Sequence, residues 1–350
     1  MSPETGGRRD NATVPAPQDL TPPAIRFQRY TAADAARWNA TVAASPTQSF
    51  LFDRGYMEYH AERFDEHSLL AWQGETLLAL LPAHRVGERL VSHGGLSYGG
   101  WLLARPLGAA KVLALMQALQ RWLPSQGISS LLYKTLPHIY QRQPSEADRY
   151  ALFRCGAERV RCDVMSAIGP TAAHWPKAQR RQITQAMRQR PELSFDALRG
   201  GEGTGWTEFW AVLQAELQAR HASRPTHNEA ELRLLASRFP AEISLQLARW
   251  SGVVCAGLVM FETATVCHLQ YMAADAQSRR CAALDQLVER AIVHAQTRGK
   301  WFDFGHSNED GGWVLNEGLA FYKESFGATA VVHEHYLLTC PAPPETHNGD

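Results

Sequence analysis

The stretch Trp301–Ala328, WFDFGHSNEDGGWVLNEGLAFYKESFGA, decides the fold. It reads as a buried strand (Trp301–Phe304), a polar loop, a helix (Leu315–Phe326) and a Gly327-Ala328 turn into another strand, Val331–Leu338. An earlier segment echoes it. Leu119–Met165 carries a helix ending before Gly127, an apolar strand (Ile128–Thr135), a polar segment, a helix (Pro144–Cys155), Gly156-Ala157 and a further strand. Gly127 precedes Gly299 by 172 residues and Gly156 precedes Gly327 by 171, with an aromatic residue (Tyr150, Phe321) six positions before each second glycine. A near-constant offset across separate landmarks predicts an internal duplication, and 350 residues suffice for two domains.

Outward from these landmarks, the pattern is strand, helix, hairpin, strand, helix, strand, helix, strand, met twice. In the first pass Ile25–Tyr30 is a strand, Thr31 caps a helix, strands Ser68–Trp72 and Thr76–Val86 form a hairpin, and Ala109–Leu123 is a helix. In the second, Phe195–Leu198 is a strand and Thr207–Arg220 a helix with Phe209, Trp210, Leu213 and Leu217 on one face; Asn228 caps the next helix. Strands Ile243–Trp250, Val253–Thr263 and Val266–Ala273 follow, then the helix Ala283–Arg298. The expected class is α/β, with mixed sheets in two tandem domains packed side by side. The expected organisation is a disordered tail (1–24), a first domain (25–170), a basic linking helix (171–192), a second domain (193–340) and a disordered tail (341–350).

With 45% hydrophobic residues, ten Trp and 20% charged residues, the chain can bury two cores. Its formal net charge is zero, which provides no bulk attraction to nucleic acid or membrane. The six cysteines show no CxxC or Cys/His ligand spacing and read as structural thiols. No apolar run approaches ~18 residues and residues 1–25 lack a signal core, so the expected compartment is the cytoplasm.

The element order, together with SHGGLSYGG (Ser92–Gly100), KTLPHIYQRQPSEADRYALF (Lys134–Phe153), RPTH (Arg224–His227), CHLQYMA (Cys267–Ala273), FDFGHSNE (Phe302–Glu309) and LNEGLAFYKESFGA (Leu315–Ala328), resembles the GNAT acyltransferase fold. More narrowly it resembles the double-GNAT group related to Fem-type peptidoglycan aminoacyl transferases, over roughly residues 45–338. The resemblance implies transfer of an acyl group from an activated carrier to an amine, with no metal or tightly bound cofactor. The co-substrate is acyl-CoA or aminoacyl-tRNA. Simple GNAT enzymes hold the CoA pyrophosphate on a Q/R-x-x-G-x-G/A loop; here that loop is DAQSRRCAA (Asp275–Ala283), without glycine. Arg279 and Arg280, helped by Arg181 of the basic segment, are the expected phosphate ligands. The missing glycines count against CoA and the neutral charge against extensive tRNA contact, and acyl-CoA stays slightly ahead because it needs less surface. The expected acceptor is an amine on a small molecule, peptide or cell-envelope precursor; no DNA partner and no membrane span are expected.

An attacking amine must lose a proton to a nearby base, and the developing oxyanion needs donors. The expected catalytic set is His227, His268, Asp303 and Lys323 around one cleft. His227 is either a base or a capping histidine. His268 and Gln270 alternate with Leu269 and Tyr271, which places the first two on one strand face. Asp303, between Phe302 and Phe304, is a buried carboxylate that needs a partner. Lys323 is either an oxyanion or phosphate ligand or a snorkelling surface lysine, and Asp285 complements a helix dipole. Tyr98, Lys134, Gln270, Tyr271, Ser307 and Asn316 are the expected substrate-binding residues. No G-x-S-x-G nucleophile motif is present, so direct attack without a covalent enzyme intermediate is expected. The reading from another class is a non-catalytic double domain that presents a ligand cleft.

Overall fold

The computed structural model describes residues 24–341 except 48, 172–192, 221–224 and 277, without the side chains of residues 220, 279 and 280. The expected tails up to Pro23 and from 342 onward, the basic linking helix with Arg181, and the Arg279 and Arg280 side chains lie outside the described residues.

The first half runs β1 (Ile25–Arg29), α1 (Ala35–Ala44), α2 (Arg54–Met57), β2 (Asp65–Glu66), β3 (Leu69–Gln73), β4 (Thr76–Leu81), β5 (His84–Val86), β6 (Arg89–Val91) and β7 (Leu102–Leu103). It closes with α3 (Ala109–Trp122), β8 (Ser130–Lys134), α4 (Ala147–Arg154) and β9 (Glu158–Ile168). The second half opens with β10 (Leu193–Arg199), α5 (Gly205–Arg220), α6 (Glu229–Arg238), β11 (Ile243–Trp250), β12 (Val253–Glu262) and β13 (Val266–Ala274). It ends with α7 (Ser278–Cys281), α8 (Ala283–Thr297), β14 (Trp301–His306), β15 (Asn308–Glu309), β16 (Val314–Leu315), α9 (Glu317–Glu324) and β17 (Thr329–Thr339).

The two halves follow one plan. In the first, the segments β2/β3, β4/β5 and β6/β7 each contribute to two sheets: β1-β3-β4-β7 form one, while β2, β5 and β6 join the other. Residues 92–101, which hold the SHGGLSYGG motif, make an irregular excursion between β6 and β7. The parallel pair β6–β8 (Val91 opposite Leu132) then occupies the place of β13–β14 (His268 opposite Asp303). Gly127, Gly156, Gly299 and Gly327 all have positive φ (67°, 74°, 67° and 88°), the left-handed region that ends a helix or tight turn without a Cβ penalty.

The expectation of two separate sheets side by side is corrected. One eleven-stranded sheet crosses both halves in the order β10-β11-β12-β13-β14-β9-β17-β8-β6-β5-β2. Each half gives its last strand to the other: β9 pairs with β14 and β17 with β8, and β9 and β17 pair with each other at the centre. Offset counting could not show this, because an exchanged strand keeps its sequence position and changes only its partner. Two helix starts also move inward. The helix expected from Pro144 begins at Ala147, and the one expected from Leu315 begins at Glu317, where Asn316 Oδ1 accepts the Leu319 N–H at 3.0 Å as an N-cap.

The core falls into three clusters. One belongs to the first half, around Leu115, Leu119, Leu131 and Tyr133; one to the second, around Leu258, Leu287, Ile292 and Phe302; the third joins them. In that third cluster Phe50 of the first half packs on Phe239 and Phe261 of the second, with ring centroids 5.4 and 5.5 Å apart. Among the described residues, no helix is long and apolar enough to cross a membrane.

Candidate active site

β13 and β14 run parallel for three residue pairs ending at His268–Asp303, and pairing stops there although both strands continue. They splay apart, and the gap opens next to that last pair. Since His268 and Asp303 are register partners on neighbouring strands, their side chains share a face, and His268 Nδ1 lies 2.8 Å from Asp303 Oδ2. Asp303 is fully buried. Its Oδ2 also accepts the Tyr140 hydroxyl at 2.6 Å, and its Oδ1 accepts the Gly305 N–H at 2.7 Å. Burial pushes the pKa of this carboxyl up, but the His268 ring and the three hydrogen bonds outweigh it and hold Asp303 below the usual carboxylate range. A carboxylate on Nδ1 fixes the ring so that Nε2 is left as the basic nitrogen. Gly305 has φ 74°, and a Cβ there would sit 3.3 Å from the His268 ring, so the turn needs glycine twice over.

His268 lines a cavity of about 340 Å³ whose walls come from both halves, with Asp303 buried behind it. Ser97, Tyr98, Lys134 and Tyr140 line one side, His268, Leu269, Gln270 and Phe304–His306 the other, and β9 and β17 the floor. Tyr98 donates to or accepts from Ser49 Oγ at 2.9 Å and packs on Tyr140 at 4.6 Å between centroids, which steadies the Tyr140 hydroxyl on Asp303. Lys134 Nζ donates to the carbonyls of His93 and Leu96 at 3.1 and 2.8 Å, and burial lowers its ammonium to about 8.

The strict alternation expected along β13 is corrected at Gln270. The register shifts there, with Met260 opposite Leu269 and Val259 opposite Tyr271, so Gln270 is the extra residue of a β-bulge. Gln270 lines the cavity, while Tyr271 returns to the face expected of Gln270 and joins the core cluster shared by the halves.

The four residues expected around one cleft separate into three settings. His268 lines the cavity, and Asp303 is buried behind it as its hydrogen-bond partner. Lys323 is buried, donates to the carbonyls of Gly305 and His306 at 3.0 and 2.7 Å, and is lowered to about 8 by burial; it holds the end of β14 in place. His227 does not line this cavity; its Nδ1 meets the Tyr271 hydroxyl at 2.7 Å and its ring stacks on Tyr59. Burial lowers His227 to about 4, a weak base at neutral pH. Ser307 is buried with its N–H on the Val164 carbonyl.

Asn316 lines a second cleft of about 570 Å³, walled by Leu213, Glu216 and Leu217 of α5, Met272 and Ala274 of β13, and Asp285, Leu319 and Tyr322. The two cavities share β13 as a wall. Asp285, expected only to complement a helix dipole, faces this cleft; it accepts the Tyr322 hydroxyl at 3.1 Å and is raised by burial.

Sequence reasoning missed Tyr140, although it lies inside the KTLPHIYQ motif, and missed Asp163, His306, His333 and His335 on the cavity wall. Asp163 and His333 are 170 residues apart and directly opposite one another. Offset counting could not pair them, because only the antiparallel register of β9 and β17 brings them together.

Buried neutral histidines set an acid limit on the fold. His93 and His227 are lowered by burial from 6.5 to about 3 and about 4. Above pH ~6.5 both states are neutral; below it the unfolded chain takes a proton that the folded one refuses, so stability is lost as pH falls toward 4. Each histidine costs ~1.4 kcal/mol per pH unit, and the two together ~3 kcal/mol at pH 5.5. Urea unfolding at pH 7.5 and 5.5 should show that loss, and equal stabilities would contradict neutral burial.

A family model described as an acetyltransferase (GNAT) domain matches residues 177–323. No curated protein matches the chain. Among solved structures, FemX aligns with a TM-score of 0.62 at 9% identity, over 88% of this chain and 96% of FemX. The C-terminal domain of a putative lysylphosphatidylglycerol synthetase from Agrobacterium fabrum aligns with a TM-score of 0.57 at 14% identity, over 88% and 92% of the two chains. L-PGS from Bacillus licheniformis gives 0.52 at 11%, over 76% and 82%. At these identities the likeness is one of fold.

Proposed function

We propose that this chain, a double-GNAT acyltransferase of the Fem-like group, forms an amide by direct attack of an amine on a carrier-bound carbonyl, with His268 as general base. The observation that carries the reading is the His268–Asp303 pair at the point where β13 and β14 part. The acceptor amine enters the cavity shared by the halves and forms the new C–N bond. His268 Nε2 takes the amine proton and passes it to the departing oxygen or sulfur of the carrier. Gln270, the bulge residue, has its backbone outside the β12 ladder beside the splay, where its N–H can meet the developing oxyanion. Lys323 keeps the carbonyl end of β14 rigid, a positioning role. The acceptor is an amine of a small molecule, peptide or cell-envelope precursor.

The donor arm enters the second cleft. Glu216 and Asp285 on its wall suit the ammonium of an aminoacyl group better than a pyrophosphate. Asp285 stands in the first turn of α8, where a CoA phosphate would need an unopposed helix N-terminus. This favours an aminoacyl ester such as aminoacyl-tRNA. Acyl-CoA is the second reading, supported by the apolar remainder of the wall, Leu213, Leu217, Met272 and Leu319. Transfer to hydroxylamine as a simple amine should be measured from a mixed pool of charged tRNA and from acetyl-CoA. Under the first reading charged tRNA supports transfer, and Asp285→Asn raises its KM by roughly tenfold, the loss of one charge-assisted hydrogen bond. Transfer from acetyl-CoA alone, indifferent to Asp285→Asn, would reject it.

A further inference from the structure

We infer that Asp163, His333 and His335 form a binding site for one divalent first-row transition-metal ion on the floor of the shared cavity. The register of the two exchanged strands creates it. On β9 and β17, His333 stands directly opposite Asp163 and His335 opposite Arg161. Positions two apart on a strand share a face, so all four side chains rise on the same side of the sheet. Asp163, His333 and His335 are each more than nine-tenths buried. One oxygen of Asp163 and the Nε2 of each histidine find no hydrogen-bond partner among the described residues. The three potential ligand atoms lie within 4.8 Å of one another. Three neighbouring buried residues, each with an unpartnered polar atom, are costly unless something joins them.

The surrounding groups orient the set as second-shell partners orient metal ligands. Arg161 Nε donates to Asp163 Oδ2 at 2.8 Å and leaves Oδ1 for a ligand. Lys134, opposite His335 on β8, engages the His93 and Leu96 carbonyls with its ammonium. Two imidazoles and one carboxylate suit Zn²⁺, Co²⁺ or Ni²⁺ and leave further coordination positions open to the cavity. Mg²⁺ and Ca²⁺, which take oxygen ligands, are poor fits. A second grouping, Glu262, Cys267 and His294, lacks this character, because Glu262 is already bound by Lys300 at 2.7 Å and Arg298 at 3.0 Å.

The test is titration of chelator-treated full-length protein with Co²⁺, followed by visible absorption, then displacement by Zn²⁺. The expected result is one Co²⁺ per chain with ligand-field bands and no thiolate charge-transfer band, displaced by Zn²⁺ and not by Mg²⁺. His335→Gln should weaken Co²⁺ binding by on the order of 100-fold or more, beyond the 10–100-fold that second-shell changes cost. Cys267→Ser should leave it unchanged. Should His335→Gln fail to fold by circular dichroism, the near-isosteric Asp163→Asn carries the same comparison. Absence of Co²⁺ binding to the unaltered chain, a thiolate band, or equal affinity in the ligand variant would overturn the site.

Discussion

Replacing His268 by asparagine should lower the acyl-transfer rate on the order of 10²–10⁴-fold while the chain stays folded. Asparagine is the informative substitute because its amide N–H can stand where Nδ1 now meets Asp303 at 2.8 Å, so the buried carboxylate keeps a donor. What disappears is Nε2, the one nitrogen left to take the amine proton. The loss should fall on kcat and leave donor affinity nearly unchanged, since the ring's proton transfers belong to the chemical step while the donor is held in the second cleft. Single-turnover rates with both donors, alongside urea unfolding, separate the two effects. A rate within threefold of the unaltered protein would remove His268 from the mechanism. His227→Ala supplies the contrast: its ring is bound to Tyr271 and away from the cavity, so its loss should affect stability more than the chemical step.

Asp303→Ala should damage both stability and rate. The substitution leaves the Tyr140 hydroxyl, the Gly305 N–H and the His268 ring without their shared acceptor in a fully buried place. Leaving three buried donors without their acceptor, at ~1–3 kcal/mol each, costs several kcal/mol, which urea unfolding reads directly. The rate should fall as far as in His268→Asn, because a histidine without its carboxylate is neither oriented nor stabilised once protonated. Tyr140→Phe removes one donor and keeps the pair, so a smaller loss on both measures is expected. Equal stability of Asp303→Ala and the unaltered chain would mean that the carboxylate contributes nothing net.

The duplication was legible because helix-ending glycines are dictated locally: Gly127, Gly156, Gly299 and Gly327 need positive φ whatever surrounds them. His268 and Asp303 were legible for a related reason, as polar residues inside apolar strands that some partner had to satisfy. The bulge at Gln270 was not, since nothing in CHLQYMA marks which residue the partner strand will skip. Nor was the separation of His227 from the pair, which depends on how Tyr59 and Tyr271 pack around it. Asp163, His333 and His335 were hidden most deeply. Each reads as an ordinary strand residue, and only the pairing of β9 with β17, from opposite halves, makes them neighbours.

The exchanged strands also govern how the chain can be made. Ser130 pairs with Thr339, 209 residues later, so β8 waits for most of the second half to leave the ribosome. At roughly 5–20 residues per second that is about 10–40 s during which the apolar strand Leu131–Tyr133 lacks its β17 neighbour. β9 is in the same position until β14 and β17 arrive. An unpaired apolar edge invites pairing with another nascent chain. Translation speed and holdase protection across the middle of the message should therefore control the yield of native protein. Two separately produced halves should associate only when mixed while both are still unfolded, since each must receive its final strand from the other.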